Sequence, residues 1–135
     1  MTGGAGTGRL FHLALASEWA DALAGGGYRT STRGRTVDEE GYTHCCHPEQ
    51  VAGVGERYYR QVTEPLLLLE IDPTLLSSPV VEEVPPGGSE HYPHVYGPID
   101  VTAVVAAHDV GRTATGDLVL PEVVSPGSGP TDPST

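Results

Sequence analysis

Apolar positions in this chain gather in short blocks separated by glycine, proline and charged residues, and the spacing inside each block predicts its element. Arg9 to Leu15 alternates as a strand, with Leu10, His12 and Ala14 on one face and Phe11, Leu13 and Leu15 on the other, so His12 is a polar residue in an otherwise apolar strand. Ser17 is placed as a helix N-cap with Glu18 in the first turn. Trp19, Leu23 and the neighbouring alanines form the apolar stripe of that helix, which ends at Gly25-Gly26-Gly27. Tyr28 to Glu40 is polar and reads as a surface loop that covers a pocket. Tyr42 to Cys46, opened by Gly41, is a second strand, with Tyr42, His44 and Cys46 on one face and Thr43 and Cys45 on the other.

His47-Pro48 opens a second helix that runs to about Tyr59, with Pro48 near its first position and Val51, Val54, Gly55 and Tyr58 facing inward. Pro65 announces Leu66 to Ile71, the most hydrophobic run in the chain and a central strand buried on both faces. Asp72-Pro73 breaks that strand, and Thr74 to Leu76 is a turn or a short 3₁₀ piece. Val80 to Val84 is a fourth strand carrying Glu82 and Glu83, Pro85 to Gly88 is a loop, and Tyr96-Gly97-Pro98 turns into a last buried strand, Val101 to Ala107. The order β-α-β-α-β-β-β predicts a small α+β domain with a twisted, mostly antiparallel sheet and two helices.

Length and composition set the limits of that domain. The chain of 135 residues fits a single globular unit over about residues 9–110, with a Gly-rich leader at 1–8 and a Gly/Pro/Ser/Thr-rich tail at 111–135. The tail reads as largely disordered around one loosely docked strand. The leader glycines are not a phosphate loop, because no strand precedes them and no Gly-Lys-Ser/Thr follows. Seven Lys and Arg against eighteen Asp and Glu give a net charge of −11, which disfavours nucleic acid and acidic membrane surfaces as partners. The apolar run Leu10 to Ala16 is too short for a secretory signal and is broken by His12, so a cytoplasmic location is expected.

Chemistry concentrates in two polar-aromatic stretches. The first is Gly41-Tyr42-Thr43-His44-Cys45-Cys46-His47 and the second is His91-Tyr92-Pro93-His94-Val95-Tyr96-Gly97-Pro98. His and Cys are metal-ligand types, but Cys45 and Cys46 point to opposite strand faces and no Cys-x-x-Cys occurs, so no metal is expected. A thiol mechanism at Cys46 needs a base that the strand geometry does not supply, and Cys45 reads as a small buried hydrophobe. One of Glu82 and Glu83 must point inward if 80–84 is a strand, and an inward carboxylate needs a partner. His12, Tyr42, His44, His94 and Tyr96 then form the expected pocket. Imidazoles and phenols hydrogen-bond ribose hydroxyls and stack on flat rings without fixed charge, which suits a nucleotide-like or sugar-like ligand.

Five ordered blocks carry a resemblance. They are Leu-Phe-His-Leu-Ala, Glu-Glu-Gly-Tyr-Thr-His-Cys-Cys, Gln-Val-Ala-Gly-Val-Gly-Glu-Arg-Tyr-Tyr, Leu-Leu-Leu-Leu-Glu-Ile-Asp and Tyr-Pro-His-Val-Tyr-Gly-Pro-Ile. Over about residues 9–108 this order resembles the bacterial domain-of-unknown-function 952 family. The first four blocks are more distantly similar to the RNA 2′-phosphotransferase branch of the ADP-ribosyltransferase superfamily. Phe11-His12 fits that branch's first strand, His44 with Cys46 its second, and Val54-Gly55-Glu56-Arg57 its helix. The resemblance implies an ADP-ribosyltransferase-like fold, with His12 and His44 contacting NAD or ADP-ribose, Arg57 near phosphate, and Glu82 or Glu83 standing for a catalytic glutamate. Val37-Asp38-Glu39-Glu40-Gly41 is acidic where the phosphotransferases are basic, so removal of an RNA 2′-phosphate is not expected.

The leading expectation is therefore a domain that binds NAD or an ADP-ribose-type nucleotide and carries out ADP-ribosyl, glycosyl or phosphoryl transfer. His44, His94, Glu82 and Glu83 are the catalytic candidates, and His12, Tyr42, His44, Arg57 and Tyr96 contact the ligand. The alternatives are a non-catalytic binding module for a sugar or small metabolite, and a metal-dependent enzyme using His and Cys ligands. All of these rest on one spatial expectation, that the rings of His12, His44 and His94 converge.

Overall fold

Four leucines, a glutamate and an isoleucine in a row have no polar face, so the strand they form needs cover on both sides. In a computed structural model described at residues 8–25, 28, 30–32, 35–36, 41–85 and 88–124, this strand, β5 (Leu66–Ile71), lies between β1 (Leu10–Leu15) and β8 (Val104–Arg112). It runs antiparallel to both, from Leu10↔Ile71 to Leu15↔Leu66 on one side and from Leu66↔Val110 to Ile71↔Val104 on the other. Leu69 and Ile71 join Leu10, Ala14, Trp19, Tyr28, Cys45, Val95 and Ile99 in one apolar cluster. Leu66 and Leu68 join Phe11, Leu13, Cys46, Val51 and Tyr59 in a second, on the other face. Burying each such large aliphatic side chain stabilises the fold by about 1.5–3 kcal/mol.

Helix α1 (Ala16–Gly25) leaves β1 directly and presses Trp19 and Ala22 on the first cluster. The second cluster is closed by a helical segment that changes pitch along its length. A 3₁₀ turn at Pro48–Gln50 leads into α2 (Val51–Val54) and then a π-helical turn, Gly55–Tyr59. A separate antiparallel sheet has the order β4 (Thr43–His44), β7 (Tyr92–Val95), β6 (Val80–Glu83). It meets β1 through one bridge, where Phe11 and Cys46 exchange both backbone hydrogen bonds, at 2.8 and 2.7 Å. The short strands β2 (Thr30–Thr32) and β3 (Arg35–Thr36) pair with each other. β9 (Leu118–Val119) returns on the end of β8. No helix among the described residues is long and apolar enough to cross a membrane.

The α+β class, the two helical segments, the antiparallel sheets and the central β5 follow the expectation from sequence; several local features differ. Tyr28, assigned to a surface loop, is 1% exposed and bridges to Ile99 in the core, while β2 and β3 lie within the same polar stretch. Residues 37–40 of that stretch lie outside the described residues, as do 1–7 of the leader and 125–135 of the tail. Helix α1 begins at Ala16, so Ser17 sits inside it rather than capping it, and Leu23 of the expected apolar stripe is 57% exposed.

In the second helical segment Tyr59 faces inward and Tyr58 is 47% exposed. The π turn widens the spiral, so the inward series steps through Val51, Gly55 and Tyr59 instead of reaching Tyr58. Tyr92–Val95, to which the sequence pattern assigns no element, forms a strand, and it is the middle strand of its sheet despite Pro93. The last long strand begins at Val104, after a 3₁₀ turn at Val101–Ala103. Within the stretch read as the tail, β9 pairs with Gly111 and Arg112, and Val124 is buried in the second cluster.

Candidate functional site

The β4–β7 register brings the two polar-aromatic stretches face to face. His44 stands opposite His94. The next pair along exchanges the backbone hydrogen bond, Cys45 N donating to Pro93 O at 3.0 Å, so His44 and His94 occupy the alternate kind of position, in which facing side chains approach most closely. Their ring centroids are 4.7 Å apart and nearly perpendicular, at 84°. Tyr42, two residues before His44 on the same face, lies flat against His94 with centroids 4.0 Å apart and planes 9° apart. It also meets His44 edge-on at 5.0 Å and Tyr96 at 5.4 Å. Strand periodicity alone accounts for Tyr42 with His44 and for His94 with Tyr96; the pairing of β4 with β7 joins the two couples.

β6 adds the charge. Glu83 Oε1 accepts the Tyr96 hydroxyl at 2.6 Å and lies 2.8 Å from Nδ1 of His94. The Tyr96 hydroxyl, then His94, holds the Glu83 carboxyl below its ordinary range, while the bond to Glu83 pushes the Tyr96 phenol up to about 12. An ionised carboxylate only accepts hydrogen bonds, so Nδ1 of His94 carries a proton, across the ring from Nε2. That Nε2 is buried and has no hydrogen-bond partner among the described residues. The His94 side chain as a whole is 1% exposed.

His12 is differently placed. Its Nδ1 donates to the His44 carbonyl at 2.5 Å and its Nε2 accepts the Tyr28 hydroxyl at 3.1 Å. Beyond the Phe11–Cys46 bridge β1 and β4 no longer pair, and the His12 ring supplies the donor that a neighbouring strand would otherwise give to His44. Burial lowers its pKa to about 4, which keeps the ring neutral. His12 therefore supports the cluster from behind, through the His44 main chain, and does not share the His44–His94 face. The expected three-ring convergence holds for His44 and His94 and not for His12.

Glu82 points to the other side of β6 and pairs with Nε2 of His47 at 2.9 Å, away from Glu83. Arg57 is exposed on the π turn, 5.9 Å over the Tyr58 ring, outside the cluster. Cys45 and Cys46 are free, buried and divided between the two apolar clusters. Burial raises both thiols, Cys46 to about 12, which removes the thiolate that nucleophilic chemistry would need. Among the described residues no group of three or more His, Cys, Asp or Glu is placed to hold a metal ion. The Glu83–His94–Tyr96 arrangement was not anticipated as a unit. Its signal was the alternation Tyr92, His94, Tyr96, obscured by Pro93, which argues against an interior strand.

A family described as protein of unknown function (DUF952) matches residues 13–107. The chain belongs to the DUF952 family. The matched span contains every member of the cluster, Tyr42, His44, Glu83, His94 and Tyr96. This DUF952 domain is similar in structure to protein CC0527 from Caulobacter crescentus. A crystal structure of CC0527 superposes with a TM-score of 0.71 at 25% identity, covering 83% of this chain and 94% of that one. A solution NMR structure of CC0527 gives 0.65 at 27% identity, covering 80% and 89%. No curated protein matches the chain.

Proposed function

We propose that the Tyr42–His44–Glu83–His94–Tyr96 face binds NAD or a related ADP-ribose-type nucleotide, on a fold of the ADP-ribosyltransferase kind. The observation that carries this reading is the meeting of two imidazoles and two phenols, with Glu83 bonded to His94 and Tyr96 and with Nε2 of His94 left without a partner among the described residues. Flat polar rings suit a planar base and ribose hydroxyls. The ionised Glu83 and the −11 charge favour the cationic nicotinamide end of the ligand over its phosphates. The phosphates are then directed away from Glu83.

Isothermal titration tests the reading. NAD is expected to bind in the micromolar to millimolar range, ADP-ribose more weakly because it lacks the cationic ring, and Tyr42→Ala to weaken NAD binding by about tenfold, the loss of one stacking contact of about 1–2 kcal/mol. No heat and no thermal shift with millimolar NAD would remove the proposal.

A further inference from the structure

We infer that the outer edge of β6 is a docking site for an extended, basic segment of another protein, which adds to the β4–β7–β6 sheet as an antiparallel fourth strand. This surface is independent of the nucleotide reading. β6 is an edge strand, paired with β7 on one side only. Tyr96 N donates to Pro79 O at 2.9 Å, and bonded pairs alternate along an antiparallel ladder. In the register from Val80↔Val95 to Glu83↔Tyr92, the main chain of Val81 and Glu83 therefore faces β7, and that of Val80 and Glu82 faces away from it. Those outward N–H and C=O groups have no hydrogen-bond partner among the described residues. Such an edge is a template for a further strand. Pro79 and Pro85 bracket it, so the segment it accepts lies along residues 80–84.

The side chains of the edge select the partner. Val81 and Val84 are both exposed, and strand alternation puts them on opposite faces of the sheet. Glu82 and Glu83 lie between them, also on opposite faces, and each is bonded through Oε1 alone, Glu82 to His47 and Glu83 to His94 and Tyr96. Their Oε2 atoms make no hydrogen bond among the described residues. The chain contains no lysine to guard the edge. Arg9 is engaged by Glu70 and Asp72, Arg60 by Glu56 and Asp117, Arg112 by the Arg60 carbonyl and Arg57 by the Tyr58 ring, all away from β6. A second copy is a poor occupant, because antiparallel pairing of β6 with itself sets carboxylate against carboxylate, with a charge of −11 on each chain. Two consecutive basic residues opposite Glu82 and Glu83, flanked by apolar residues opposite Val84 and Val81, match the strand on both faces. One cation then reaches each carboxylate from its own side.

The test uses the full chain and the peptide acetyl-Thr-Val-Lys-Lys-Val-Val-Thr-amide, labelled for fluorescence anisotropy. The peptide is expected to bind with a dissociation constant below about 1 mM and to be released by salt. In amide hydrogen exchange it is expected to slow Val80 and Glu82 and to leave Val81 and Glu83, already bonded to β7, unchanged. Glu82→Gln should weaken binding by about 2–5-fold through the lost charge. Glu82→Pro should weaken it by more than about tenfold, since it also removes an outward N–H while sparing the β7 ladder. Circular dichroism checks that each variant folds. Should Glu82→Pro not fold, a peptide N-methylated at the residues that bond to β6 decides the matter, and it is expected not to bind. No binding at millimolar peptide, equal binding of the N-methylated peptide or of one with Glu-Glu for Lys-Lys, or binding without slower exchange at Val80 and Glu82 would each overturn the inference. Slower exchange at those two amides on raising the protein concentration without peptide would overturn it in favour of a second copy.

Discussion

A buried histidine with both nitrogens bonded and a buried histidine with one nitrogen open are different objects, and this domain holds one of each, His12 and His94. For His12 the consequence is a pH-dependent contribution to stability. Its folded-state pKa lies near 4, below the ordinary 6.5, because burial opposes the charged ring. Between those values the unfolded chain binds the proton more readily, so stability is complete above the unfolded value and falls as pH drops toward 4, by about 3 kcal/mol in all. The lowered carboxylates, Asp72, Glu83 and Asp100, titrate below their ordinary values of 3.8 to 4.5 and contribute at lower pH. Urea unfolding of wild type and His12→Asn across this window is the check. The variant is expected to be less stable at pH 7 by about 1–3 kcal/mol, having lost a buried hydrogen-bonded group, and to show a flatter pH slope. Equal slopes would mean that another group carries the effect. His12 stood out in the sequence as the polar member of an apolar strand. Its partner Tyr28 did not, because Tyr28 sits in a polar segment and its burial depends on pairing with the distant Ile99.

At the scale of elements, the three-stranded sheet that carries the cluster is closed at one end by the turn after β7. Gly97 is needed there because of close approach. A Cβ at this position would lie 2.2 Å from Ser78 Oγ and 2.9 Å from Ser78 Cβ, while the Gly97 carbonyl accepts the Thr43 hydroxyl at 2.8 Å. Gly97→Ala is therefore expected to lower stability by about 1–3 kcal/mol through overpacking against β6's approach, read as a shift in the denaturant midpoint. It is also expected to weaken NAD binding, since Tyr96 is the preceding residue. An unchanged midpoint would show that Ser78 simply rotates away. The elements the sequence made legible were those with strong periodicity, β1, β5 and the faces of β4. Those it obscured were β7, interrupted by Pro93, and the π turn, whose extra width moves the inward position from Tyr58 to Tyr59.

Across the whole molecule, two antiparallel sheets touch at Phe11–Cys46 and are held beyond that bridge by the His12 ring, under a net charge of −11. A small ligand carrying positive charge gains from that field, and a polyanion is repelled by it. Fluorescence anisotropy with a labelled RNA oligonucleotide is expected to show no binding even at low ionic strength, where phosphate contacts are strongest. Salt-sensitive binding there would place a basic surface where none is expected.

Local periodicity and composition were sufficient for the α+β class, the two faces of β1 and β5, the separation of Cys45 from Cys46 and the candidacy of both aromatic stretches, because each depends on neighbours within a few residues. Which of the candidates meet could come only from the folded chain. Glu83 rather than Glu82 faces His94, and His44 rather than His12 shares its surface, because β4, β7 and β6 pair in one register. A slip of a single residue in that register would turn every one of those side chains to the opposite face, and no local pattern in the chain sets it.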